Sequence, residues 1–151
     1  MSTGNRHRPR PKKVRGRSLV GERYDVRADR VGHGGFVVAR HEGVVVFVRH
    51  ALPGELVTAE VTEGHVGDRF LRADAVAVLE ASPDRVEPPC PFSGPGRCGG
   101  CDFQHVDLAA QRGLKAAVVA EQLTRLARID VDVVVEEVPG APEGVYSGEW
   151  P

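Results

Sequence analysis

Gly32-His33-Gly34-Gly35-Phe36-Val37-Val38-Ala39-Arg40-His41-Glu42-Gly43, followed by the valine-rich run 44–48 and by Ala51-Leu52-Pro53-Gly54-Glu55, is the stretch that decides the fold. Gly32, Gly34 and Gly35 set a sharp bend, after which two apolar runs, 36–39 and 44–48, are split by Arg40, His41, Glu42 and Gly43. Two runs rich in β-branched residues about a short turn with glycine make a hairpin. Upstream, Tyr24, Val26 and Ala28 alternate with Asp25, Arg27 and Asp29, the period of a strand with one buried face. Downstream, Pro53 and Gly54 break the chain before Val57, Ala59 and Val61. Gly64 and Gly67 then precede a last run in which Leu71, Ala73, Ala75, Ala77 and Leu79 alternate. Five short strands in so few residues predict a small OB-like barrel over residues 18–80, since closure removes the open edges of a sheet.

The order of glycine turn, strand, Gly43, Phe47-Val48 and Leu52-Pro53-Gly54-Glu55 resembles the TRAM domain, and the resemblance covers most of residues 19–80. It implies an RNA-binding module. On such a face, bases stack on exposed aromatics beside cations, and Phe36, Arg40, Phe47, Arg49 and His50 are the local candidates. In a small barrel the two phenylalanines are expected in the core rather than on a binding platform.

Charge is unevenly placed. Residues 1–17 hold seven bases (Arg6, Arg8, Arg10, Lys12, Lys13, Arg15 and Arg17) and no acid, so the body is acidic although the whole chain carries a net charge of only -1. With Pro9, Pro11 and Gly16 and no apolar period, this arm is expected to be disordered. It suits either a solubilising tail or contact with RNA phosphates, the latter through Arg6, Arg8, Arg10, Lys12 and Lys13. Every apolar run is far shorter than the roughly 20 residues of a bilayer span, and no secretory signal is present, so no membrane partner and a cytoplasmic location are expected.

Beyond Pro88-Pro89 lies Cys90-Pro91-Phe92-Ser93-Gly94-Pro95-Gly96-Arg97-Cys98-Gly99-Gly100-Cys101, a C-x7-C-x2-C pattern in a glycine- and proline-rich loop. Thiolates so spaced can share one metal or cluster, and glycines let the backbone wrap it. Several readings stay open on spacing alone. A [4Fe-4S] cluster takes four thiolates, so a fourth would come from outside the chain. Zinc could be held locally as Cys3His with His105. A redox pair at Cys98 and Cys101 lacks the strand-to-helix setting that such motifs occupy, and three inert thiols so close together are an unusual core filling. Gly94, Gly96 and Gly99 match G-x-G-x-x-G by accident, because Pro95 and the preceding prolines forbid the strand–turn–helix that a dinucleotide site needs.

Cys90-Pro91 and Arg97-Cys98-Gly99-Gly100-Cys101-Asp102-Phe103-Gln104-His105 resemble the cluster segment of the RNA (uracil-5-)methyltransferases, in which a TRAM domain comes first. The gap from Cys90 to Cys98 is longer than usual in that family. The resemblance implies [4Fe-4S] ligation by Cys90, Cys98 and Cys101, S-adenosylmethionine as the parent enzyme's methyl donor, tRNA or rRNA as partner, and a monomer. It also implies that the Rossmann-like methyltransferase domain and all catalytic residues lie outside these 151 residues. Radical enzymes that methylthiolate tRNA also carry TRAM domains, but their cluster spacing and domain order differ. A stand-alone RNA-binding protein with the Cys3His zinc site is the competing reading.

A helix followed by a strand is expected after the cysteine loop. Residues 107–128 lack proline and carry Ala116, Val119, Ala120, Leu123, Leu126 and Ala127 as one apolar stripe, with Asp107 as N-cap and Arg125 and Arg128 at the C-terminal end. The stripe is expected to be packed. Ile129, Val131, Val133 and Val135 alternate as a strand would. The expected organisation is a basic arm (1–17), a barrel (18–80), a linker with the cysteine loop (81–106) and the start of a further domain (107–151), mainly β and then α.

Overall fold

The computed structural model describes residues 16–139. Five strands, β1 (Arg23–Val31), β2 (Val37–His41), β3 (Val44–Arg49), β4 (Leu56–Glu63) and β5 (Phe70–Glu80), close into a barrel in the order β1-β2-β3-β5-β4. Each neighbouring pair is antiparallel except β3 with β5. The expected OB-like barrel is therefore the fold.

Period two explains the inside. Val26, Ala28, Val37, Ala39, Val46, Val48, Val57, Ala59, Val61, Leu71, Ala73 and Ala75 form one buried cluster. These side chains are small, so the interior is narrow and full without a single aromatic ring. On β5 the expected alternation holds only as far as Ala75. Thr58 pairs with Ala77 while the next residue, Ala59, pairs with Ala75, and a second irregularity lies between Leu56 and Val57. These bulges shift the strand's phase. Val78 packs against the core instead of Ala77, and Leu79 is turned out at 52% exposure.

After β5 the chain is pinned back. Val86 N donates to the His105 carbonyl at 3.0 Å and Asp107 N to the Asp84 carbonyl at 2.9 Å, so residues 84–86 and 105–107 close the base of the cysteine loop. Helix α1 (Leu108–Gln122) then starts at Asp107, whose Oδ1 accepts from Ala109 N and Ala110 N. This is the expected cap. A π-helical turn (Leu123–Ala127) ends the helix, with Arg128 left-handed at φ 60°.

Two expectations about this region fail. The apolar stripe is not packed within the described residues: Val119 is 44% and Leu126 73% exposed, and the one buried helix residue is Gln111. Residues 129–135 form no strand. A strand needs a neighbour, and the closed barrel offers no free edge to receive one.

Candidate nucleic-acid interface and cysteine loop

The same alternation that turns valines inward turns a different set of side chains outward on β2, β3 and β5. Val38, Phe47 and Arg72 lie side by side across the three strands, and Arg40, Val45 and Phe70 form the adjacent row. Phe47 meets Phe36 edge-on at 6.4 Å and Phe70 edge-on at 5.5 Å, and the Arg72 guanidinium stands 5.0 Å above the Phe36 ring. None of the three rings belongs to the core cluster, and Phe70 is 46% exposed. The expected core position of Phe36 and Phe47 is thus corrected, because valine and alanine already fill the narrow interior. Arg72 also lies 3.5 Å from Glu63, whereas Arg40 is exposed and has no ion-pair partner among the described residues. Aromatic faces beside guanidinium groups are what single-stranded nucleic acid stacks upon. The expectation at Arg6, Arg8, Arg10, Lys12 and Lys13 falls outside the described residues.

Arg49 leaves that face for the cysteine loop. Its Nη2 donates to Asp102 Oδ1 at 2.7 Å, and Asp102 in turn fills the space where a side chain on Gly35 would sit, 2.6 Å from its Cβ position. Gly35 has φ +75°, so glycine is required there both by conformation and by room. Cys90 N donates to Gln104 Oε1 at 3.2 Å, Ser93 N to the Cys90 carbonyl and Cys98 N to the Phe92 carbonyl, both at 3.0 Å. Cys90 is half-buried, Cys98 and Cys101 are exposed, and all three are free. As donors they suit a thiolate-bound metal in kind but are one short of the four that a [4Fe-4S] cluster takes. Among the described residues no three His, Cys, Asp or Glu side chains converge as a metal set.

Where barrel and loop meet, a buried carboxylate organises the junction. Glu55 is fully buried and accepts from Leu52 N (2.8 Å), Ser82 N (3.0 Å), Arg85 Nε (2.6 Å) and Arg85 Nη2 (2.7 Å). Burial alone would raise its pKa. The hydrogen bonds from Arg85, Ser82 and Leu52, with the Arg85 charge, outweigh it and hold the carboxyl below its ordinary value. Arg85 Nη2 also donates to the His50 carbonyl at 2.8 Å. His105, 5% exposed, places Nε2 3.4 Å from the Ala51 carbonyl and its ring 6.2 Å from that of His50. Burial first, then the nearby Arg85 and His50, push His105 down to about 4 against the pull of Ala51 and Glu55. His105 is therefore engaged in packing the loop onto the barrel. Glu55 and Arg85 carry no signal as a pair in the sequence, since 30 positions separate them. Phe70 and Arg72, by contrast, could have been found by reading β5 outward as well as inward.

No helix among the described residues is long and apolar enough to cross a membrane. The sequence model of the TRAM domain matches residues 17–76. A Streptomyces coelicolor protein named an uncharacterized RNA methyltransferase is 66% identical over 111 residues, which are 73% of this chain and 24% of that protein. A Shewanella amazonensis protein named a 23S rRNA (uracil(1939)-C(5))-methyltransferase is 40% identical over 80% of this chain and 26% of its own length. A solution structure of a conserved protein from Methanococcus maripaludis is 34% identical, with a TM-score of 0.34, over 46% of this chain and 94% of that one. This chain spans about a quarter of the length of the curated relatives it matches. It carries a TRAM domain over residues 17–76 and, over the quarter of their length that it spans, is similar to proteins named RNA methyltransferases.

Proposed function

We propose that this chain is the RNA-recognising part of an S-adenosylmethionine-dependent RNA (uracil-5-)methyltransferase that makes 5-methyluridine in tRNA or rRNA, as a monomer in the cytoplasm. The observation that carries the RNA reading is the outward row of Phe36, Phe47 and Phe70 with Arg72 and Arg40 on a TRAM barrel. Unpaired bases stack on the rings, the guanidinium groups meet phosphates, and the arm residues Arg6, Arg8, Arg10, Lys12 and Lys13 add contacts that carry no sequence information. The uracil reading is supported by the similarity to the Shewanella relative, which is named a uracil-C(5)-methyltransferase. Its test is tritium release. The protein encoded by the whole reading frame, given S-adenosylmethionine and RNA labelled with tritium at uracil carbon 5, is expected to release the label as the methyl group replaces that hydrogen. Methyl incorporation without tritium release would refute the uracil-5 reading.

The cysteines belong to the same proposal. Cys90, Cys98 and Cys101 supply three thiolates to a [4Fe-4S] cluster, with the fourth ligand outside this chain, and the cluster's role is structural. The Cys3His zinc alternative is less favoured, because it recruits His105 from a buried position against the Ala51 carbonyl. Anaerobic purification of the whole protein should yield about four iron and four sulfide per chain. Equimolar zinc without iron would establish the alternative.

A further inference from the structure

Arg49 stands on the outer side of β3, two residues from Phe47 and across from Asp74 of β5, where a cation facing RNA would be expected. Its guanidinium is turned to another use. Nη2 donates to Asp102 Oδ1 at 2.7 Å, and a side chain on Gly99 would stand 3.5 Å from Nη1, so the cysteine loop meets Arg49 at two points. Asp102 also touches a second element. A methyl group on Gly35 would lie 2.6 Å from Asp102 Cβ and 2.8 Å from its Cγ, and Gly35 is the residue before Phe36. Gly32 N closes this turn on the Phe36 carbonyl at 2.7 Å. One side chain of the loop is thus wedged between β3 and the turn that presents the first ring of the aromatic row. That ring otherwise has only Arg72 5.0 Å above it and the edge-on Phe47 at 6.4 Å, contacts weak enough at the surface for it to follow its backbone.

We infer that Asp102 is a positioning residue of the RNA face: it carries the placement of the cysteine loop to Phe36, so that loop and aromatic row act on RNA as one unit. This rests on the RNA reading above and goes beyond it, giving the loop a part in binding that needs no contact with a base. A stacking platform that is already fixed binds more tightly than one that must be ordered when the base arrives. Whatever orders the loop around Asp102 therefore strengthens stacking on Phe36, and RNA stacked there steadies the loop in return, since coupling between two sites is reciprocal. Charge alone predicts the opposite sign. Asp102 is an anion beside a surface that receives phosphates, and it occupies Arg49, so on electrostatic grounds its removal would tighten binding. Positioning requires that its removal weakens binding.

The test uses the 151-residue chain. Its probe is fluorescein-labelled oligouridylate of about 12 nucleotides, within the range an OB-type barrel covers. Affinity is read by anisotropy, once circular dichroism has shown each protein folded, for the unchanged chain, Asp102→Ala, Asp102→Asn, Gly35→Ala, Phe36→Ala and the double variant Asp102→Ala with Phe36→Ala. Phe36→Ala gives up one stacked base and should weaken binding about fivefold or more, and Asp102→Ala should lose part of that, about two- to fivefold. The double variant should bind no more weakly than Phe36→Ala alone, because the two changes act on the same ring. Asparagine removes the charge but keeps the bulk beside Gly35 and an oxygen for Arg49, so Asp102→Asn should restore most of what Asp102→Ala loses. Gly35→Ala pushes Asp102 aside with every charge in place, and should weaken binding as Asp102→Ala does while leaving the salt dependence unchanged. If Asp102→Ala binds as tightly as the unchanged chain or more tightly, or if the losses at Asp102 and Phe36 add, the positioning role is refuted and stacking on Phe36 stands. If the unchanged chain does not bind the probe, or Phe36→Ala binds it equally well, the RNA reading of this ring falls and the positioning role with it.

Discussion

Replacing Glu55 by glutamine, a side chain of nearly the same shape, should destabilise the junction between barrel and cysteine loop. The native carboxylate is fully buried and accepts four hydrogen bonds, two of them from Arg85. Glutamine keeps one acceptor oxygen but points an NH2 group at neighbours that are themselves donors, and it leaves the Arg85 charge without its partner. Removing one member of a buried ion pair costs about 3–5 kcal/mol. The retained oxygen and the partial exposure of Arg85, 21% at its side chain, place Glu55→Gln near the lower end, about 3 kcal/mol. Against a total stability of about 5–15 kcal/mol, that is a large fraction. Urea unfolding followed by far-ultraviolet circular dichroism measures it: with a slope of about 1.5 kcal/mol per molar, the midpoint should fall by about 2 M. The double variant Glu55→Leu with Arg85→Leu should lose less than the two single losses added together, since neither charge is then stranded. A Glu55→Gln loss below about 1 kcal/mol, or additive single losses, would refute the view that this pair ties the loop to the barrel.

Acid should loosen the same junction in two stages. The folded pKa of His105 is lowered from 6.5 to about 4, so the unfolded chain takes up its proton first. Its stabilising contribution is complete above pH 6.5 and is lost as pH falls towards 4, by about 3 kcal/mol in all. Glu55, also lowered, adds a loss below its ordinary value of 4.5. His105→Gln should flatten the stability profile between pH 6.5 and 4, measured by urea midpoints, and an unchanged profile would show that His105 does not carry the effect. Arg49→Ala frees Asp102 and should raise backbone hydrogen exchange across residues 98–104 with little change at β1; equal protection in both proteins would count against the pair as a tether. Gly35→Ala meets Asp102 and a positive φ together, and should cost about 1–3 kcal/mol in the same urea assay, whereas Gly43→Ala, with open space around it, should cost only its backbone strain.

The barrel was legible because each strand announces itself locally: Val37 and Ala39 against Val46 and Val48, or Val57, Ala59 and Val61 in a row. Period two needs no knowledge of partners. The β5 bulges escaped the same reading, since the run from Leu71 to Leu79 alternates without interruption and the two-for-one pairing is imposed by β4. Phe36 and Phe47 were misplaced for a reason of volume: composition gives their hydrophobicity, while the width of the interior is known only once valine and alanine have filled it. Helix α1 and its Asp107 cap were local and correct. Whether Val119 and Leu126 are covered, and whether residues 129–135 find a sheet edge, depends on neighbours that pattern cannot supply. The cysteine spacing is a local pattern, whereas the Arg49–Asp102 and Glu55–Arg85 pairs, which position the loop, join residues 53 and 30 positions apart.

The central claim is that the outward face of β2, β3 and β5 receives RNA, and an NMR titration of the isotopically labelled chain with oligouridylate tests it most directly. Amide and aromatic shifts should move at Phe36, Arg40, Phe47, Phe70 and Arg72, while Asp25, Arg27 and Thr58 on β1 and β4 stay still. Shifts confined to β1 and β4, or a titration that leaves the phenylalanine rings unmoved while the probe binds, would contradict it.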